Sequence, residues 1–274
     1  MCALARTARP GYVDLMSDTE TNPPGDTTSF GFRQVPREEK QSLVRSVFDR
    51  SARRYDLMND VMSLGIHRVW KDITITRANP RPGEVLVDVA GGTGDLARAF
   101  LDRAETVRRR AGGPPARAVV ADINFEMMRS GLRRGDREDL AWVCANAEML
   151  PFEDRSADCV MIGFGIRNVT DRAAALKQMH RVLKPGGRFL CLEFSRPTTR
   201  ALARLYDAWS FNAIPALGQL IAKDRDSYQY LVESIRRFPH QQAFRQEVEA
   251  AGFANVSVTD LSGGIAALHM GWKL

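Results

Sequence analysis

Cysteine and histidine are scarce in this chain of 274 residues, with four of each. Cys2, Cys144, Cys159 and Cys191 are scattered without ligand-like spacing. That excludes a disulfide framework and argues against any metal site; they read as buried or idle thiols in a reducing compartment. Aromatics make up only 8% of the residues, and none is interleaved with a dense Lys/Arg block, so nucleic acid is not an expected partner. The densest cationic run, Arg108-Arg109-Arg110, precedes Gly112-Gly113-Pro114-Pro115 and reads as a solvated helix end. No apolar run reaches the roughly 18–20 residues of a spanning helix. The longest, Phe211 to Ala222, is broken by Asn212, Pro215, Gly218 and Gln219. The first fifteen residues lack an apolar core and are not a secretory signal. Their arginines admit a transit peptide, against which Asp14, Asp18 and Glu20 count, and Met16 is a second candidate start.

What is present is an ordinary globular composition, 44% hydrophobic and 26% charged, with a net charge of +6 that leaves an anionic ligand or a membrane surface open. Residues 1–36 read as a disordered tail, because Asp18 to Thr28 is polar, Pro/Gly/Thr-rich and without apolar period. One domain follows over 37–274. Leu43, Val44, Val47 and Phe48 mark a helix, and a second is expected over Arg68 to Ala78. Strands then alternate with helices: Val85–Val89, Ala118–Ala121, Ala141–Val143, Cys159–Gly163 and Arg188–Phe194 are the strands. A helix from Asp171 to Leu183 offers Ala174, Leu176, Met179 and Val182 as its inner face. The last two strands, Val256–Thr259 and Ile265–Lys273, flank the short turn at Ser262-Gly263-Gly264. The expected fold is therefore α/β: a Rossmann-like, seven-stranded, mostly parallel sheet with helices on both faces and a C-terminal antiparallel hairpin. A helical N-terminal segment and a helical lid insertion, about 197–238, are added to it.

The strongest chemical signal is Asp88-Val89-Ala90-Gly91-Gly92-Thr93-Gly94-Asp95, which leaves a strand and opens a helix. Gly91, Gly92 and Gly94 let the backbone approach a ligand, and the helix start offers free N–H donors. Gly92 to Ala97 also fits the loose dinucleotide fingerprint, so the loop alone leaves NAD open. Asp88 and Asp95 argue the other way. Two carboxylates flanking the loop repel a pyrophosphate and suit a ligand bearing an ammonium and a sulfonium, such as S-adenosylmethionine (SAM). Asp122 ends the second strand, where a carboxylate accepts ribose hydroxyls. Asn146-Ala147-Glu148-Met149-Leu150 follows the third strand. A polar side chain and a backbone amide there can read an adenine edge, with Met149 or Leu150 on its face.

The ordered motifs VDVAGGTGD, ADIN, ANAEMLPF, GFGIRNV, LKPGGRFL and LEFSRP, with the closing hairpin, resemble class I SAM-dependent methyltransferases. Together with YDLMND and DSYQYLVESIRRFP they resemble, more narrowly, the UbiE-like family of ubiquinone/menaquinone biosynthesis C-methyltransferases, from about Val47 to Leu274. The resemblance implies SAM as methyl donor, contacted by Thr93, Asp122, Asn146 and Ala147. Gly163 stands where the family often has serine, which leaves that position only its backbone for the cofactor. The implied substrate is a polyprenylated benzoquinol, 2-methoxy-6-polyprenyl-1,4-benzoquinol, with a demethylmenaquinol (a naphthoquinol) where that pathway exists. Other methyl acceptors, a sterol or a phenol oxygen, stay open. The implied setting is peripheral to the membrane, on the cytoplasmic inner face in a bacterium or in the mitochondrial matrix of a eukaryote. Contacts with other quinone-biosynthesis proteins and a homodimer are both admitted.

Arg167, just past the fourth strand, is the candidate catalytic residue. A cation there can stabilise a phenolate or position a water, though a guanidinium is no base at neutral pH. The bland reading is a carboxylate-pairing arginine. Tyr55 and His67 belong to the segment expected to cover the cofactor, and His67 is its only conventional base. Tyr206, Trp209, Phe211, Tyr228 and Tyr230 are either core or a lid over an isoprenoid tail.

Overall fold

Period-two patterning builds the central sheet. Leu86, Val120, Met161, Leu190 and Leu192 pack on one face, with Val87, Val89, Val160, Ile162 and Phe189 on the other. Both faces are covered by helices, which is why these strands read as almost continuous apolar runs. The computed structural model describes residues 26–51, 60, 63, 65–209 and 225–274. In chain order it has strands β1 (Thr27–Phe30) and β2 (Arg33–Pro36), helices α1 (Arg37–Ser51) and α2 (His67–Ala78), then β3 (Val85–Val89) and α3 (Asp95–Ala111). Next come β4 (Arg117–Asp122), α4 (Phe125–Leu132), β5 (Leu140–Cys144), β6 (Ala157–Gly163), α5 (Arg172–Val182) and β7 (Leu183–Phe194). The chain closes with α6 (Arg200–Ala208), α7 (Arg225–Arg237), α8 (Gln241–Ala250), β8 (Ala254–Leu261) and β9 (Ala266–Trp272).

Seven strands lie in the order β5-β4-β3-β6-β7-β9-β8. The pairings from β5 to β7 are parallel, while β9 is antiparallel to both β7 and β8. This is the expected α/β architecture. The chain runs outward from β3 through β4 and β5, then returns to place β6 on the other side of β3. That reversal makes the carboxyl ends of β3 and β6 the crevice where such sheets bind ligands.

Capping sets the helix starts around the crevice. Asn124 accepts from the Met127 amide at 3.0 Å and Asp171 from the Ala174 amide at 2.9 Å. The cationic run Arg108–Arg110 is the last turn of α3, as expected of a solvated helix end. The inner face of α5 is Ala175, Leu176, Met179 and Val182. Ala175, not the expected Ala174, is the buried alanine of the first turn.

One expectation changes, and one open alternative is narrowed. Residues 27–36, assigned to a disordered tail, form an antiparallel hairpin. Its apolar residues are few, and its support is tertiary: Phe30 stacks on Tyr230 at 4.3 Å, and the Phe32 amide donates to Glu233 at 3.0 Å. The aromatics read as either core or lid are largely core where described. Tyr228 joins Leu231, Val232 and Ile235 in the cluster beneath the sheet, and Tyr206 and Tyr230 are also buried. Phe211 and the middle of that segment lie outside the described residues.

Candidate active site

Two adjoining chambers occupy the crevice. The smaller, about 320 Å³, is lined by Lys71, Asp88, Gly91, Thr93, Asp95 and Gly163. The larger, about 780 Å³, is lined by Gly92, Asp122, Asn146 and Ala147 on one side and by Val44, Phe48 and Val169 on another. Ala90 and Phe164 line both chambers and stand at their junction. Each leaves its strand with left-handed backbone, φ +50° at Ala90 and +56° at Phe164, uncommon for residues with a Cβ and concentrated at functional sites. Backbone bonds over-determine both turns: the Ala90 amide donates to Ala121 O and the Phe164 amide to Leu192 O, each at 2.7 Å.

Asp88 sits at the floor of the smaller chamber with 1% of its surface exposed. One carboxylate oxygen accepts the Ala97 amide at 3.1 Å; the other, Oδ1, has no partner among the described residues. Burial pushes its pKa up to about 7, against the Ala97 amide and with the nearby Asp95 and Asp122 carboxylates adding to the rise. A buried, half-satisfied carboxylate is costly unless a cation arrives. Gly91 is needed for this geometry, since a Cβ there would lie 2.7 Å from the Asp88 Cγ.

Asp122 is also buried, and burial raises its pKa to about 6 despite amide bonds from Asn124, Gly92 and Ile123. Its oxygens accept Gly92 N at 2.8 Å and Asn124 N at 2.7 Å, so each retains a lone pair for a hydroxyl. Asp95 departs from expectation. It lines the smaller chamber, but Lys71 bonds it at 2.6 Å, Arg134 pairs with it and Thr93 donates to it at 3.2 Å. Burial raises its pKa, yet these cations outweigh it and hold the carboxyl below its ordinary range. Of the two flanking acids, only Asp88 offers uncompensated charge.

The structure thus brings Asp88, Gly91, Gly92, Thr93, Asp122, Asn146, Ala147 and Gly163 to the two chambers. Gly94 lines neither. Its φ of +74° opens α3, and a Cβ there would lie 2.8 Å from the Trp142 ring, so its role is the turn itself. Met149 is 75% exposed and Leu150 is core, so neither packs on a ligand in the crevice; Ile123 and Met127 line it instead. Lys71, Phe164, Ile123 and Met127 were not singled out from sequence: Phe164 and Ile123 lie inside motifs read for their neighbours, and no motif marks Lys71 or Met127.

The candidate catalytic residues fall elsewhere. His67 is buried, held by Asp60 at 2.9 Å, and lines neither chamber. Burial lowers its pKa, with the Asp60 bond opposing. Arg167 also lines neither. Its Nη1 donates to Glu193 Oε1 and to the Phe164 carbonyl, each at 2.6 Å. Tyr55 lies outside the described residues.

The sequence profile of the ubiE/COQ5 methyltransferase family matches residues 33–273. The chain belongs to that family. A Caulobacter vibrioides relative called "Ubiquinone/menaquinone biosynthesis C-methyltransferase UbiE" is 56% identical over 248 residues, 90% of this chain and 98% of that one. A Danio rerio relative called "2-methoxy-6-polyprenyl-1,4-benzoquinol methylase, mitochondrial" is 50% identical, covering 98% of this chain and 89% of its own. Among solved structures, a SAM-dependent methyltransferase of Thermotoga maritima superposes with a TM-score of 0.57 at 20% identity, over 84% of this chain and all of that one. A Haemonchus contortus phosphoethanolamine N-methyltransferase in complex with SAM matches at 0.51 and 15%, over 74% of this chain and 52% of its own. These structures share the fold.

As a member of this family the chain is a SAM-dependent methyltransferase, and its residues fit that cofactor. The orphaned Asp88 oxygen suits an ammonium, the spare lone pairs of Asp122 suit ribose hydroxyls, and Asn146 and Ala147 edge the larger chamber where adenine would lie. Gly163 contributes no side chain, and a Cβ there would lie 2.6 Å from the Leu96 Cδ1.

Proposed function

We propose that the protein methylates a ring carbon of 2-methoxy-6-polyprenyl-1,4-benzoquinol, with a demethylmenaquinol as the related acceptor. Near-full-length identity to relatives with those names supports the reading. The observation that carries it is the junction at Ala90 and Phe164, where a carboxylate-floored chamber meets one walled by Val44, Phe48 and Val169. SAM would span both chambers, its ammonium on Asp88 and its adenosine beside Asp122, Asn146 and Ala147, which brings its methyl near the junction with an apolar wall at hand for the acceptor.

Bound SAM supplies a methyl group activated by its sulfonium. The chain's part is to hold an electron-rich ring carbon in line with that methyl, which converts a bimolecular step into an oriented one. Phe164 is the side chain placed to do so. Its ring packs against Phe194 at 4.9 Å and Trp70 at 6.4 Å, and its carbonyl is held by Arg167. Arg167 therefore serves as a positioning residue, fixing the Phe164 turn from behind. Val44, Phe48 and Val169 give the acceptor ring an apolar wall, and the proton lost from the methylated ring carbon passes to solvent.

The tail cannot be delivered through water, and no helix among the described residues is long and apolar enough to cross a membrane. Peripheral contact with a bilayer follows from that substrate. The test is complementation of a quinone-deficient methyltransferase mutant, followed by lipid extraction. Restored methylated quinone supports the assignment; unmethylated precursor accumulating beside folded protein rejects it.

A further inference from the structure

Behind the Tyr230–Asn168 hydrogen bond, 2.9 Å long, lies a separate cavity of about 480 Å³. Four cations line it: Lys40 from α1, Arg167 after β6, Arg172 from α5 and Arg237 from α7. Thr28, Ser29, Thr170 and Ser234 add hydroxyls, and no carboxylate lines it among the described residues. Two of the cations are already compensated. Arg167 is paired with Glu193 at 2.6 Å and Arg172 with Glu247 at 2.9 Å. Lys40 and Arg237 have no carboxylate partner among the described residues. Lys40, 4% exposed, donates to the Val169 carbonyl at 3.0 Å, and Arg237 rests over the Phe32 ring.

The cavity therefore carries two surplus positive charges within walls that focus their field. Arg167 Nε, buried, has no hydrogen-bond partner among the described residues, a donor left open in the same wall. Burial, with Arg172 and Arg37 close by and Glu148 opposing, brings the Lys40 pKa down to about 8. Glu148, the carboxylate that acts on Lys40, is already engaged by the Thr170 and Asp171 amides at 3.0 and 3.1 Å. The charge count suits a dianion, and the mixed array of hydroxyl and cationic donors suits tetrahedral oxygens.

We propose that this cavity binds a phosphate dianion, free or as the phosphomonoester headgroup of a lipid. It adjoins the larger chamber of the methyl-transfer site, sharing Thr170 with it, but its cations line neither chamber, and the proposal does not depend on what that site methylates. The hairpin β1–β2 forms one wall through Thr28, Ser29 and Gly31, so binding also fastens the hairpin against α7.

The test titrates the full-length protein with inorganic phosphate by calorimetry and sediments it with phosphatidylcholine vesicles with and without phosphatidate. Wild type is expected to bind phosphate, phosphatidate vesicles or both. Lys40→Met with Arg237→Gln should weaken that binding by about tenfold or more, the scale of lost charge-assisted bonds. SAM affinity should stay as in wild type. Arg237→Gln alone, at an exposed helix end, guards against a folding defect and should weaken binding partially. Vesicle binding without free-phosphate binding, lost in the variants, assigns the headgroup as ligand; the reverse assigns the free ion. Binding to neither by wild type, or binding unchanged in the double variant, overturns the proposal.

Discussion

The guanidinium of Arg167 meets the carboxylate of Glu193 at 2.6 Å with both side chains almost wholly out of water, 2% and 1% exposed. Burial raises the Glu193 pKa, and Arg167 together with the Phe194 and Arg167 amides opposes that rise. The pair spans 26 residues of sequence and ties the end of β6 to the end of β7. Removing one member leaves a buried charge uncompensated, at a cost of about 3–5 kcal/mol. Arg167→Ala should lower denaturation stability by that amount, and Arg167→Met with Glu193→Leu should recover most of it. A double variant no better than the single would show that the pair's other hydrogen bonds dominate.

Function divides differently from stability at this pair. Arg167→Lys keeps a charge against Glu193, but its shorter side chain ends short of the Nη1 position that bonds both Glu193 and the Phe164 carbonyl. We expect kcat to fall while the SAM dissociation constant moves little, because Phe164 shifts at the junction. Unchanged kcat in the folded variant would free the Phe164 turn from Arg167.

Asp88 gives the pH dependence. Its folded pKa near 7 lies above the usual carboxylate value of 3.8. The folded state therefore binds the extra proton, and ligand-free stability falls as pH rises from about 4 to 7. Asp122, raised to about 6, acts in the same direction. A cationic ligand needs ionised Asp88, so SAM affinity should climb up to about tenfold per pH unit and flatten above pH 7. Asp88→Asn should flatten both curves: more stable than wild type at pH 8 without ligand, weaker and less pH-dependent toward SAM. Calorimetry at pH 6, 7 and 8 reads this, and a pH-independent affinity in wild type would remove Asp88 from the ammonium site.

Asp122→Asn should weaken SAM by about 1–3 kcal/mol, the cost of hydroxyls left poorly paired. It should not create NAD binding, because the smaller chamber keeps its acid floor. Unchanged SAM affinity by calorimetry would contradict the ribose assignment.

Gly91→Ala places a methyl group 2.7 Å from the Asp88 Cγ. Overpacking of this kind costs about 1–3 kcal/mol. Because the strain falls on the ligating carboxylate, SAM affinity should drop along with the melting temperature. A change in melting temperature alone would separate the glycine from the site.

The parts of the site visible in the sequence are those written locally. Asp88, the glycines and Asp122 sit at strand ends, so strand placement alone brought them to one crevice. Ala90 and Phe164 were not visible, since their left-handed turns are imposed by backbone bonds to distant strands. Arg167 was singled out because it lies just past a strand at the ligand-binding edge, with carboxylate pairing as the other reading; its partner, Glu193, arrives through β7. Lys71 neutralises Asp95 across the helix pair α2 and α3, a pairing that spacing does not encode. The β1–β2 hairpin was missed for the same reason: Thr27–Phe30 and Arg33–Pro36 have little apolar pattern, and docking on α7 orders them.

The most direct measurement follows the methyl group itself. Purified protein, SAM carrying a carbon-13 methyl and the unmethylated polyprenyl benzoquinol in detergent are incubated, and the product is examined by carbon NMR. The account predicts label on a ring carbon, with product formation lost in Asp88→Asn at pH 7. Label on a ring oxygen, or none despite SAM binding, would contradict it.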